Sequence, residues 1–545
     1  MKRFYLFIPL LSLFMSSCYY TEEADILIHN ASIYTVDDNF TITEAMAIKD
    51  GKIIDVGPNN ELKNRYNAKV EIDAKMRPIY PGFIDAHCHF LWYGNTFFEV
   101  DLVGTKSWDE VIEKTIAFSK TNTDMWIKGR GWDQNDWEVK EFPTKAKLDR
   151  LFPDRAVLLR RIDGHAAIAN QKALDLAGIT IDTKIDGGIY KQIESKLTGL
   201  LIDNAIDTVQ KAVPKLSQEQ MKRALLKAQE MCFAKGLTTV DDAMLENEMV
   251  HTIDELQKSG ELKMKVYGML MPTEENKKEF LSKGPYLTEM LSIRSFKYFA
   301  DGALGSRGAK LIEPYADDIH NTGLFLNDST YFAKEAEALY KNGFQMNTHC
   351  IGDAANRMML NIYGNTLKTT NDKRWRIEHC QVVNANDLEK FKTYTIIPSI
   401  QPTHATSDMY WAEDRLGEDR VKTAYAYKDL LKQNGIVALG TDFPIEDIDP
   451  LKTFYAAVVR KDKENFPTDG YQKENALTRE ETLRGITIWA AISNFEEEQK
   501  GSIEVGKAAD FIILNQDIMK IPEANILETK VISTYVNGEL VFKSK

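Results

Sequence analysis

A chain of 545 residues, 43% hydrophobic and 27% charged, can bury a large core and has the composition of an ordinary globular protein. Its 68 basic and 81 acidic residues leave a formal net charge of −13, so there is no basic stripe to displace phosphate counterions, which argues against a nucleic-acid partner. One large catalytic domain with something smaller attached is the expectation.

At the N-terminus, Lys2 and Arg3 precede an apolar run from Phe4 to Met15 that is too short to span a bilayer but suits a secretory signal. Ser16 and Ser17 then lead into Cys18. This resembles a bacterial lipoprotein signal peptide over residues 1–17, although Met15 departs from the leucine usual three residues before the cysteine. The resemblance implies lipidation at Cys18 and an exported, membrane-anchored protein of the cell envelope, in the periplasm or on the cell surface; a plain cleaved signal peptide is the alternative. The four later cysteines form no small-domain disulfide framework. Cys88, Cys350 and Cys380 each follow a histidine of interest, so they are expected to face away from it as buried thiols.

From residue 22 to 80 the pattern is one of short strands and turns, with a hairpin predicted for Ala45–Lys49 and Lys52–Gly57 about Asp50-Gly51. Residues 500–545 look alike, with Asn537-Gly538 as a turn. Neither end has enough strands to stand alone, so the two are expected to meet in one small composite β-sandwich.

Between them, residues 81–499 alternate apolar stretches (Ile293–Phe299, Phe344–His349, Arg376–His379, Thr395–Gln401, Ile436–Leu439) with helical ones such as Gln218–Lys235 and Tyr331–Lys341. That alternation predicts an α/β fold, and a (β/α)8 TIM-like barrel is the common solution at this size. Residues from about 98 to 208 look irregular and read as an insertion over the barrel mouth. Trp92, Tyr93, Trp126, Trp132 and Trp137 could line a pocket there, with simple packing as the alternative.

The chemistry is concentrated at predicted strand ends, where α/β barrels build their sites. In Pro81 to Phe90, His87 and His89 lie one side-chain period apart, with Cβ atoms roughly 6–7 Å from each other, close enough to share an ion. Asp85 extends the polar row. Later ends carry Lys297, His349, His379 and Asp442. Each alone has an ordinary structural explanation; five polar ends converging on one mouth do not.

This order resembles the amidohydrolase superfamily, and local phrases match its family 3 of metal-dependent hydrolases. They are Pro81 to His89, Arg161 to Ala166, Phe299 to Arg307, His349 to Ala354 and Thr441 to Pro444. The resemblance implies that His87, His89 and Asp442 bind one divalent metal and His349 and His379 a second, bridged by Lys297 as a carbamate. The donor set suits zinc first, then iron, manganese or nickel. It further implies hydrolysis of a non-peptide carbon–nitrogen bond by metal-activated hydroxide, with Asp442 as catalytic general base. A linear amide is the expected substrate; an imidazolone-type cyclic amide and a catalytically inactive binding lipoprotein are the alternatives. His165 and His404 are candidate substrate-binding or oxyanion-stabilising residues. Asp85 is expected to orient its neighbours, and Asp301 to pair with Arg307 beneath the site.

Overall fold

Eight parallel strands form a nearly closed barrel: β1 (Phe83–Cys88), β2 (Leu237–Leu245), β3 (Lys265–Leu270), β4 (Leu291–Phe299), β5 (Gln345–Cys350), β6 (Arg376–His379), β7 (Ile397–Ile400) and β8 (Ala438–Leu439). The computed structural model describes residues 21–122 and 124–545, so the expected signal peptide and Cys18 lie outside the described residues. Neighbouring strands pair in parallel from β1 through β8. The first and last strands meet just beyond the end of β8. There Asp442 N donates to His87 O and His89 N to Phe443 O, each at 2.8 Å. Gly440 permits this closure: a Cβ there would lie 2.5 Å from the His87 backbone nitrogen.

The barrel interior is strongly polar on the β6 side. The guanidinium of Arg376, wholly buried, donates to Glu378 Oε1 at 2.7 Å, Asp241 Oδ2 at 3.0 Å, Ser399 Oγ at 3.0 Å and Asn494 Oδ1 at 3.2 Å, and also to the Ala86 carbonyl. Four barrel strands therefore converge on one cation. Burial alone would raise the Glu378 carboxyl, but the charge of Arg376, with the hydrogen bond from His87, outweighs it and holds Glu378 well below the usual carboxylate range. At Asp241 burial wins and pushes the carboxyl up to about 8.

Beneath the barrel, the two chain ends are interleaved. A six-stranded sheet joins Ser32–Tyr34, Ile42–Thr43 and Pro78–Pro81 to Phe511–Leu514, Val531–Val536 and Glu539–Lys543, with Pro78–Pro81 antiparallel to Phe511–Leu514. A four-stranded sheet of Glu22–His29, Ala45–Lys49, Lys52–Gly57 and Tyr66–Asp73 packs on it through Ile28, Met46, Ile48, Ile79, Phe511 and Ile513. Both expected hairpin turns are present, with positive φ at Asp50, Gly51, Asn537 and Gly538, as their residue types favour. Lys265, at the base of β3, ties barrel to sheet by reaching Asp510 Oδ2 at 2.6 Å and Asn537 Oδ1 at 2.7 Å.

The insertion is not irregular. It folds as a six-stranded sheet in the order Gly188–Ile193, Lys196–Asp203, Ala166–Ala169, Ala156–Arg161, Trp126–Trp132, Val100–Asp101. Its inner strands bury both faces: Val157, Leu159 and Ile168 enter one apolar cluster, and Ala156, Leu158, Ala167 and Ala169 another. They therefore lack the polar alternation by which a half-buried strand is recognised. No helix among the described residues is long and apolar enough to cross a membrane.

Two stability outcomes follow. Gly440→Ala forces the β1–β8 seam apart and is expected to lower urea-unfolding stability by about 1–3 kcal/mol; an unchanged midpoint contradicts the close approach. Arg376→Leu strands Glu378 without its counter-ion and is expected to cost about 3–5 kcal/mol in the same measurement. A loss below about 0.5 kcal/mol, typical of surface changes, would show that the buried network holds little.

Candidate metal centre

The C-terminal ends of the barrel strands bring the polar residues to one place. His87 and His89 leave β1, Lys297 points inward from β4, His349 and His379 close β5 and β6, and Asp442 follows β8. His404 joins them from the helix Pro402–Asp408 after β7. Asp442 is the hub: its Oδ1 lies 3.3 Å from His89 Nε2 and 3.6 Å from His87 Nε2, and its Oδ2 lies 3.6 Å from His404 Nε2. Lys297 Nζ is 3.3 Å from His87 Nε2. Both His379 (φ 73°) and Asp442 (φ 62°) sit in the left-handed region, a backbone cost of ~1–3 kcal/mol each that is typical where side-chain direction matters more than strain.

These separations are those of atoms converging on an ion. At bond lengths of ~2.0–2.1 Å, tetrahedral ligand atoms stand ~3.4 Å apart. Of these facing atoms, His404 Nε2 and Asp442 Oδ1 are buried with no hydrogen-bond partner, and burying polar atoms that way is costly unless something else engages them. Two groups have ligand atoms within 4.8 Å of one another: His87, His89 and Asp442; and His379, His404 and Asp442. His404, expected to touch substrate, thus stands with the potential ligands. His349, expected as a ligand of a second ion, belongs to neither group; its Nε2 faces the Gly302 carbonyl at 3.3 Å while its ring lies 4.6 Å from that of His379.

The electrostatics suit neutral nitrogen donors, which metal binding requires. Burial, reinforced by the charge on Lys297, pushes His87 down to about 4, and burial holds His349 and His379 well below the usual imidazole range. Burial likewise brings Lys297 down to about 8. At Asp442 burial would raise the carboxyl, but the imidazoles beside it, His89 foremost, hold it well below the usual range. Supporting contacts aim the rings: Glu378 Oε2 takes His87 Nδ1 at 2.5 Å, and Gln401 Oε1 takes His379 Nδ1 at 2.7 Å.

Asp85 faces the seam. It accepts from Thr441 N at 3.0 Å, Thr441 Oγ1 at 2.7 Å and His87 N at 3.2 Å, pinning the Asp442 turn to β1. The expected Asp301–Arg307 pair is absent. Asp301 caps the backbone of Lys310, Ile351 and Gly352 at 2.8–3.0 Å, which uses its lone pairs, and Arg307 instead meets Asp317 at 2.8 Å. His165 lies over the cluster, 5.1 Å ring to ring from His349, with its Nδ1 held by Asp203 Oδ1 at 2.7 Å. Cys88, Cys350 and Cys380 are buried free thiols, as expected.

The centre opens into a cavity of about 1620 Å³, walled on one side by the insertion sheet. Trp92, Tyr93 and Trp137 line it, whereas Trp126 and Trp132 are packed within the insertion. Sequence reasoning passed over Arg376, Glu378 and Gln401. A signal was there, because charged residues at both inward positions of a four-residue strand are hard to explain as packing.

Comparison with known proteins agrees with this geometry. The protein YtcJ of Bacillus subtilis (strain 168) is 33% identical over 94% of this chain and 99% of its own length. The N-substituted formamide deformylase of Arthrobacter pascens is 24% identical over 96% of this chain and 99% of its own. Among solved structures, an uncharacterized metal-dependent hydrolase from Pyrococcus horikoshii OT3 superposes with a TM-score of 0.74 at 28% identity, covering 91% of this chain and 99% of that one. A family pattern described as the amidohydrolase family matches residues 70–542, running through the insertion and barrel into the last strand, and the chain therefore belongs to that family.

Proposed function

We propose that the chain is a metal-dependent hydrolase that cleaves a carbon–nitrogen bond other than a peptide bond, most simply that of a linear amide. The observation that carries this reading is the set of unpartnered buried donor atoms around Asp442, facing a cavity wide enough for a small molecule. The name of the Arthrobacter relative, a deformylase of N-substituted formamides, supports a linear amide over a ring.

In this reading His87, His89 and Asp442 hold one divalent ion, with zinc the best match to the donor types, and His379 with its neighbours offers a place for a second. Lys297, buried and with its ammonium disfavoured, supplies an amine that could carry a carbamate between them. When bound, such an ion would polarise an amide carbonyl and make a water nucleophilic near neutral pH.

The protein's own residues handle position and protons. Asp442, whose carboxyl is held below the usual carboxylate range, is placed among the candidate ligands as the group that takes the proton of the attacking water. Asp442 then passes that proton to the departing nitrogen, which leaves as the amine. Burial would lower the His165 imidazole, but Asp203, which accepts from Nδ1, raises it, and in that imidazolium form Nε2 donates to the carbonyl oxygen as negative charge gathers there.

Asp442→Asn should leave the melting transition nearly unchanged and reduce turnover of N-formyl and N-acetyl amides by at least ~100-fold in the metal-supplemented enzyme. Turnover within twofold of wild type would remove Asp442 from the proton path. Less than about one ion per chain in the purified wild-type protein would favour the inactive binding protein instead.

A further inference from the structure

Arg130 and Arg160 stand directly opposite each other on neighbouring parallel strands of the insertion sheet. Like charges in that register repel. Both nevertheless turn to the same place, their guanidinium carbons 5.0 Å and 5.9 Å from the centre of the Trp92 ring, at the wall of the active-site cavity. Trp92 in turn packs edge-on against His89 at 5.3 Å.

Neither guanidinium is in a salt bridge within 4.0 Å among the described residues, although Glu99 faces both and Asp442 and Asp101 face Arg130 from farther off. The acids around them are committed elsewhere. Glu99 holds Lys128 at 2.8 Å, Asp163 and Asp133 hold Arg161, and Asp203 holds His165. Asp207, which faces Arg160 from the helix Asn204–Gln210, is beyond ion-pair reach. Arg130 is 4% exposed, makes one hydrogen bond, from Nη2 to the Ile162 carbonyl at 2.9 Å, and its buried Nε has no partner. Arg160 bonds only Gln210, at 3.0 Å. Burial pushes both guanidiniums down, Arg130 to about 10, so the arrangement is costly as it stands. An anion between them would relieve both the repulsion and the desolvation.

We infer that Arg130 and Arg160 form a carboxylate-binding subsite, so that the substrates are anionic amides such as N-acyl amino acids, with the carboxylate on the guanidinium pair and the amide beside His89. Trp92 provides the apolar floor between the two ends. This inference rests on the amide-hydrolase reading and narrows it to a substrate class.

The test uses matched pairs of N-formyl and N-acetyl amino acids and their C-terminal carboxamides on the metal-supplemented full chain. Wild type is expected to favour the carboxylate member by at least about 10- to 100-fold in kcat/KM. In Arg160→Met and Arg130→Met that preference should collapse towards one, mainly through KM, with partial recovery in Arg160→Lys. Arg160, being partly exposed, keeps the test open if the Arg130 variant fails to fold. Equal turnover of both members by wild type overturns the subsite while leaving the hydrolase intact. If neither member is turned over, calorimetric titration decides: binding of the carboxylate member that Arg160→Met abolishes retains the subsite and removes the hydrolase reading, and no carboxylate-selective binding overturns the subsite.

Discussion

Everything at the mouth of this barrel depends on a cation at its centre. Arg376 is buried completely, and a lone guanidinium there would be prohibitively expensive. Its donors are matched by Glu378, Asp241, Ser399, Asn494 and a β1 carbonyl, so the charge is balanced only when β1, β2, β6 and β7 are in register. The network thereby acts as a check on assembly. It also reaches the chemistry: the Glu378 carboxylate that Arg376 keeps ionised is the group that holds His87 Nδ1, leaving Nε2 to face Asp442. Ring orientation at the centre is inherited from charge balance in the core.

A similar economy governs the seam between β1 and β8. Asp85, Thr441 and Gly440 bring two strand ends within backbone contact, and Asp442 emerges from that junction in a left-handed turn. The base of the barrel is tied to the terminal sheet through Lys265 and Asp510, whereas the top is left to the insertion. Rigidity at the floor and variability at the rim is the division of labour that lets one barrel serve many substrates.

Much of this was legible in the sequence, for physical reasons. Strand β6 and the two turn dipeptides at Asp50-Gly51 and Asn537-Gly538 follow from rules that depend on near neighbours alone. His87, His89 and Asp442 each stood out because a polar residue at the end of an apolar strand is conspicuous, and the family resemblance implied that they belong together. The insertion sheet was not legible, since strands buried on both faces show no alternation and their pairing is settled by distant partners. Nor could sequence foresee that His404, expected to touch substrate, would stand beside Asp442 while His349 faces the Gly302 carbonyl, or that Asp301 would accept from backbone amides and leave Arg307 to Asp317. Such choices belong to three-dimensional competition for partners.

The central claim is that the polar cluster is a metal site organised on Asp442. An anomalous-difference map of crystals grown with zinc and collected at the zinc edge tests it most directly. The account predicts a peak within ~2.0–2.2 Å of His87, His89 and Asp442 together. An empty map there, with water bridging those three side chains, would contradict it.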